Sequence, residues 1–186
     1  MKILFITLLV FVASGYNRNG AVNYANQWWN GINHKCGNHE SCNPCSYWGT
    51  EHCGYSGPAM GGDCANFVSQ CLVKGGGHPK LNGGAPCRGY PCGFEEIGAA
   101  NLGECLKKKG WQSSCGHKKG PPSNIKVGDV IVYHSGSCSG GGHAVIITQI
   151  SGGSPKITCH SSERHNVDYT YILGSKPYVQ WLHYNG

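Results

Sequence analysis

The segment GGDCANFVSQCL, residues 61–72, has the makings of a nucleophile site. Gly61 and Gly62 let the chain approach closely, Asp63 is a natural N-cap, and Cys64 then falls in the first turn of a helix. Unsatisfied amides and the helix dipole at such a place stabilise a thiolate and lower its pKa. A thiolate there can attack a carbonyl carbon. The alternative is that Cys64 is a half-cystine. Parity does not decide, because the chain holds 12 cysteines. Placement favours the thiol: Cys64 and Cys71 share one apolar helix, outside the loop-borne clusters. If both stay reduced, ten cysteines remain for five bridges.

A nucleophilic cysteine needs a base, and the base needs an orienting partner. His143 follows the glycine run SCSGGG and opens the apolar strand HAVIITQI, a position from which it can reach a helix packed on the sheet. His34, His39, His52, His78 and His117 fall in loops and read as surface residues. His134 and His183, at strand ends, are reserves. For the third residue, the turn Ser151-Gly152-Gly153-Ser154 joins strands 143–150 and 156–161 into a hairpin. A turn centred between Gly152 and Gly153 sets His143 opposite Ser162, with His160 one diagonal step away on the same face. A two-residue shift pairs His143 with His160 directly. A one-residue slip sends the two to opposite faces, so this expectation depends on register. His160 is the expected third residue and Asn166 the alternative.

The elements that must position these residues follow from periodicity. Residues 20–30 place Ala21, Val22, Ala25, Trp28 and Trp29 on one helical face. Residues 63–74 form a second, well-buried helix stopped by Gly75 to Gly77. Residues 95–109 run from acidic to basic, as a helix dipole prefers. After Pro121 and Pro122 the pattern changes to strands at 127–133, 143–150, 156–160, 169–173 and 178–184. Helices first and strands after is an α+β order with an antiparallel sheet. Cysteine-rich insertions at about 31–60 and 75–94 interrupt it.

Composition bounds the rest. Charged residues are only 13% and glycines number 30, which argues against a coiled coil, a helical bundle or a long disordered chain. The length of 186 suits one domain. Residues 1–15 carry Lys2, the apolar run Ile3 to Val12, and small Ala13 and Gly15, the pattern of a secretory signal peptide. The single domain is then 16–186. It is expected to be secreted and extracellular, or in the lumen of a secretory or phagosomal compartment. There the cysteines pair as disulfides rather than bind zinc, although Cys42 and Cys45 form a C-x-x-C near three histidines. The net charge is +6, with one basic tract at Lys107 to Lys109, which reads as solvated surface. No nucleic-acid motif accompanies it, and no later segment is apolar enough for integral membrane association. No metal and no cofactor are expected, and the protein is expected to be a monomer.

GGDCANFVSQCL, VGDVIVY, GGHAVIIT and ITCHSSERHN, in that order, resemble the putative amidase domain family of papain-like cysteine hydrolases, relatives of NlpC-type cell-wall peptidases. The opening YNRNGAVNYANQWW is similar to that family's first helix. The resemblance spans Tyr16 to about Tyr171. It implies a papain-like (NlpC-type) fold, Cys64 as nucleophile, His143 as general base, His160 as polar third residue, and the Cys64 amide as an oxyanion donor. The implied activity is a cysteine amidase or peptidase acting on amide bonds in the peptide part of bacterial peptidoglycan, or on a similar peptide partner. A mild positive charge suits anionic cell walls. Acyl transfer to another acceptor would use the same triad. The alternative from a different class is a non-catalytic, disulfide-stapled binding module or toxin on the same scaffold. The sequence also departs from the pattern. The two insertions are unusual, SGSCSGGG stands before His143 where an acidic stretch is common, and Cys159 stands before His160 where an aromatic is usual.

Overall fold

The computed structural model describes residues 15–30, 64–79, 81, 98–160 and 164–186. The signal segment through residue 14, Asp63, all of 31–60 and most of 75–94 lie outside the described residues. The chain is α+β with an antiparallel sheet, as its order of elements implied.

Helix α1 spans Arg18–Trp28 and starts two residues before the expected boundary. The reason is Asn17, whose side chain accepts from the Gly20 amide at 3.0 Å. Helix α2 spans Cys64–Gln70, and all seven of its residues are buried. It runs on as a π turn, Cys71–Gly75, closed by the Gly76 amide on the Cys71 carbonyl at 2.9 Å. The turn meets α1 backbone to backbone. A Cβ on Gly20 would stand 2.2 Å from the Gly75 carbonyl oxygen, and one on Gly75 would stand 2.5 Å from Tyr24 Cβ. Only glycine fits either place. Helix α3 spans Ala99–Lys108, burying Leu102, Cys105 and Leu106, with lysines in its last turn.

The six strands are β1 (Gln112–His117), β2 (Val130–His134), β3 (Gly142–Ser151), β4 (Ser154–Cys159), β5 (Arg164–Asp168) and β6 (Tyr178–His183). They form one sheet in the order β1-β6-β2-β3-β4-β5, and every pair is antiparallel. Strand β2 is buried along its whole length, as a central strand covered on both faces must be. Val130, Val132, Ala144, Ile146 and Leu182 pack under the helices with Cys64, Phe67 and Val68. Ile131, Tyr133, Val145, Ile147, Ile157, Cys159 and Trp181 pack on the other face, with Tyr169, Ile172 and Leu173 beside them.

Three expectations change. Residues 169–173, read as a strand, form the 3-10 turn Tyr169–Ile172, because the Asp168 side chain accepts from the Thr170 amide at 3.0 Å and caps it. The strand there is β5, just before it. Strand β1 was not anticipated. It is a polar edge strand paired with β6 and tied to the loop before β3 by a Cys115–Cys138 disulfide. Cys159, assigned to the bridging set, is instead a buried free thiol. Its side chain packs in the apolar cluster on the face of the sheet away from the helices.

The start of α1, the start of β2 and the end of β6 meet at Asp129, whose carboxylate is fully buried. It accepts from the Arg18 guanidinium, from His183 Nδ1 at 2.7 Å, and from the amides of Lys126 at 2.8 Å and Tyr184 at 3.3 Å. Arg18 also donates to the carbonyls of Val127 at 3.0 Å and Tyr184 at 2.5 Å. Removing one partner of such a cluster strands buried charge. Asp129→Ala is therefore expected to cost about 3–5 kcal/mol of unfolding free energy, measured by urea denaturation. A loss under about 1 kcal/mol would show the cluster to be dispensable.

Candidate functional site

Cys64 is the first residue of α2, where the helix leaves its amides without intrahelical acceptors. Its side chain carries a thiol, as does that of Cys71, and it is only 8% exposed. The helix lies over β3 and β4, so Cys64 belongs to the cluster between helices and sheet. Cys71 is wholly inside that cluster.

His160 approaches from below. Its ring stacks on Phe67, one helical turn beyond Cys64, with centroids 3.9 Å apart and planes 20° from parallel. Its Nε2 donates to the Trp28 carbonyl at 2.8 Å. A carbonyl only accepts, so Nε2 carries a proton. The end of α1 thus fixes the tautomer of a histidine beside the start of α2.

His143 is placed differently. Near the turn the hairpin has the expected register, with Ser151 opposite Ser154. A β-bulge between Ile147 and Gln149 then shifts it by one residue, so that Ile146 pairs with Thr158. Continued, this register sets His160 opposite Ala144 on the helix face, and His143 on the face of Val145 and Ile147. The surroundings agree: His160 touches Phe67, whereas His143 lines a cavity with Cys159, Arg164, Tyr171 and Lys176. The direct cross-strand pair of His143 and His160 is not part of the ladder. Both residues nonetheless stand at the same end of β3 and β4.

Cys159 links the two groups. It lines the cavity with His143, it precedes His160, and the charge of Cys64 acts on it. Burial, reinforced by Cys64, pushes its thiol up to about 12. Cys159 therefore stays protonated and is no nucleophile. His143 is shifted the other way, down to about 4, first by burial and then by Lys176 and Arg164. It is neutral at pH 7 and can accept a proton.

The remaining candidates are structural. Asn166 has a positive φ of 55°, which asparagine tolerates. It joins a relay in which Thr158 donates to Thr148 at 2.8 Å and Thr148 to Asn166 Oδ1 at 2.7 Å. His134 is held by the Gly140 carbonyl at 2.7 Å and the Gln180 amide group at 3.0 Å. His78, read as a surface residue, is buried and accepts from Trp111 Nε1 at 3.0 Å, and burial lowers its pKa. Its burial depends on contacts with Tyr16, Trp111 and Tyr184, distant in sequence, which no local pattern could reveal. Among the described residues no three or more His, Cys, Asp or Glu side chains gather as metal ligands, and no helix is long and apolar enough to cross a membrane.

The sequence model of a family described as a putative amidase domain matches residues 15–183. No curated protein matches the chain. Among solved structures, the crystal structure of Ly7917 is similar at 17% identity with a TM-score of 0.43, covering 88% of this chain and 62% of that one. The crystal structure of Ly7917 with the hydrolyzing product of MDP gives 17% identity and a TM-score of 0.45, covering 89% and 63%. The chain thus spans less than two thirds of the length of that protein.

The environment of His143 sets a pH dependence. An unfolded histidine takes its proton near pH 6.5, whereas His143 in the fold waits until about pH 4. Between those values the unfolded state binds more protons, so stability rises with pH across the window and is lost on acidification. The His143 ring is expected to titrate near pH 4 by NMR. His143→Gln should flatten the decline of the urea midpoint between pH 6.5 and 4. A ring titrating at 6.5 would overturn this assignment.

Proposed function

The chain belongs to the putative amidase domain family, and from that premise we propose that it is a secreted cysteine amidase or endopeptidase of papain-like, NlpC-type architecture. Its proposed substrates are amide bonds in the peptide part of bacterial peptidoglycan. The observation that carries the reading is Cys64: a thiol at the first residue of a buried helix, kept reduced in a chain that also holds a disulfide. Secretion is supported by the signal-like opening and by that disulfide, which suits an oxidising compartment. Helices packed on one face of an antiparallel sheet support the architecture.

In the proposed reaction the Cys64 sulfur attacks the amide carbonyl carbon as its proton passes to an imidazole. The backbone amide of Cys64 donates to the developing oxyanion. The imidazolium then protonates the leaving amine, and water, deprotonated by the same ring, hydrolyses the thioester. His143, neutral at pH 7, is the proposed base and His160 the positioning residue. A second reading exchanges these two roles. It is favoured by His160 lying on the helix face, stacked on Phe67 one turn beyond Cys64.

The test is release of new amino and carboxyl ends from purified cell walls. Cys64→Ala is expected to lower the rate at least about a thousandfold. Unchanged release would reject the cysteine mechanism and leave a binding module. The roles separate by degree: the base, replaced by Ala, should cost about 10²–10⁴-fold in kcat. The positioning histidine should cost less and be partly rescued by Asn or Gln. Equal release from His143→Ala and wild type would transfer the base role to His160.

A further inference from the structure

His183 takes no part in the proposed reaction, yet one edge of its ring is spare. Its side chain is only 8% exposed, and its Nδ1 donates to the buried Asp129 carboxylate at 2.7 Å. Its Nε2 has no hydrogen-bond partner among the described residues. A buried ring nitrogen left without a partner is costly, and a ligand can supply one. His183 lines a cavity of about 290 Å³ with Gln112, Ser114, Pro122, Asn124 and Trp181. Gln112 pairs with His183 and Ser114 with Trp181, so these four share the face of the sheet away from the helices. The cavity is remote from the proposed site. Leu182, next to His183, pairs with Val130 at the start of β2, whereas His143 pairs with Tyr133 near its end.

We propose that this cavity binds an uncharged acetamido pyranose, with a ring hydroxyl on His183 Nε2, the acetamido group at Gln112 and Asn124, and its methyl against Pro122 and Trp181. No Lys, Arg, Asp or Glu lines the cavity, so an ion finds no fixed counter-charge there. A hydroxyl both donates and accepts, so it pairs with Nε2 whether the imidazole is neutral or charged. Asn124 Nδ2 donates to Gln112 Oε1 at 3.1 Å, which leaves the Gln112 amide nitrogen to donate and the Asn124 carbonyl to accept. A secondary amide in the ligand needs one of each. Trp181 Nε1 already donates to the Lys119 carbonyl at 3.0 Å, so its indole offers the ligand apolar surface only. Ser114 adds a hydroxyl for a second ring oxygen. The volume is that of a small ligand site and suits one ring rather than a chain. None of this depends on the amidase reading, because neither Cys64 nor the two proposed catalytic histidines touch the cavity.

The experiment reads binding to the full chain by NMR, on the His183 ring and Trp181 indole signals, so failure of hydrolysis cannot imitate failure of the site. The probe is methyl N-acetyl-glucosaminide, expected to bind with a Kd of about a millimolar. Methyl glucoside, which lacks the acetamido group, is expected to bind about fivefold more weakly. N-methylacetamide, which lacks the ring, should not saturate the site over the same range. Asn124→Ala, at an exposed position, should weaken the acetamido sugar severalfold, and Ser114→Phe, which fills the cavity, should abolish its binding. Unmoved His183 and Trp181 signals at about 10 mM sugar overturn the proposal. Equal binding of the acetamido sugar and either control overturns it too, as does affinity that survives both substitutions. The comparison of probes uses the unaltered protein, so it stands even where Ser114→Phe folds poorly. Sugar binding by a protein that cleaves no cell wall would refute the amidase reading and leave this site in place.

Discussion

The rest of the structure depends on the burial of one carboxylate, that of Asp129. A buried charge is tolerated only when hydrogen bonds and opposite charge surround it. Here the donors come from three separate segments: Arg18 at the head of α1, Lys126 before β2, and His183 with Tyr184 at the close of β6. Satisfying Asp129 therefore fixes where α1 begins against the sheet. Asn17 and the Gly20–Gly75 contact then set the path of the helix. The far end of α1 delivers the Trp28 carbonyl to His160 Nε2. An electrostatic requirement at one end of the sheet thus sets a tautomer at the other.

Register is the second constraint, and a local relay carries it. Thr148 sits at the bulge in β3, where a side chain has lost its regular place opposite β4. Its hydroxyl bridges Thr158 and Asn166, and the Asn166 amide donates to the Thr158 hydroxyl at 3.3 Å. Three short polar side chains satisfy one another and the backbone amide of Asn166 at the bulges on both sides of β4. The one-residue shift then decides which faces His143 and His160 occupy.

Much of this was legible in the sequence, and the failures share a cause. Helix α2 and strands β2, β3 and β6 were readable because apolar runs with sharp glycine and proline boundaries carry their own signal. Strands β1 (QSSCGH) and β5 (RHNVD) were not, since edge strands face solvent and need no alternation of apolar residues. The turn at 169–173 resembles a strand in composition, but the Asp168 cap overrides that preference. For the candidate site, Cys64 was picked out from its helix, and His143 and His160 from their strands. Their mutual arrangement was not, because a bulge has no sequence signature when built from threonines. The thiol of Cys159 was missed for a similar reason. Cysteine counting treats every cysteine alike, whereas packing decides which ones can pair.

The sheet has two differently charged faces, and the proposed chemistry draws on both. The helix face supplies Cys64 and His160 in an apolar setting, and the other face supplies His143 between cations. Adjacent residues of a strand point to opposite faces. Cys159 and His160 are adjacent, so a step along the chain passes from the cation-lined cavity to the face that carries helix α2. Cys159 is influenced by Cys64 and by Arg164, which belong to the two sides. An aromatic ring in place of Cys159 would fill the gap with apolar volume. The small, neutral sulfur leaves the cavity open up to the strand. The cysteine at this position thus leaves open the cavity beside His143.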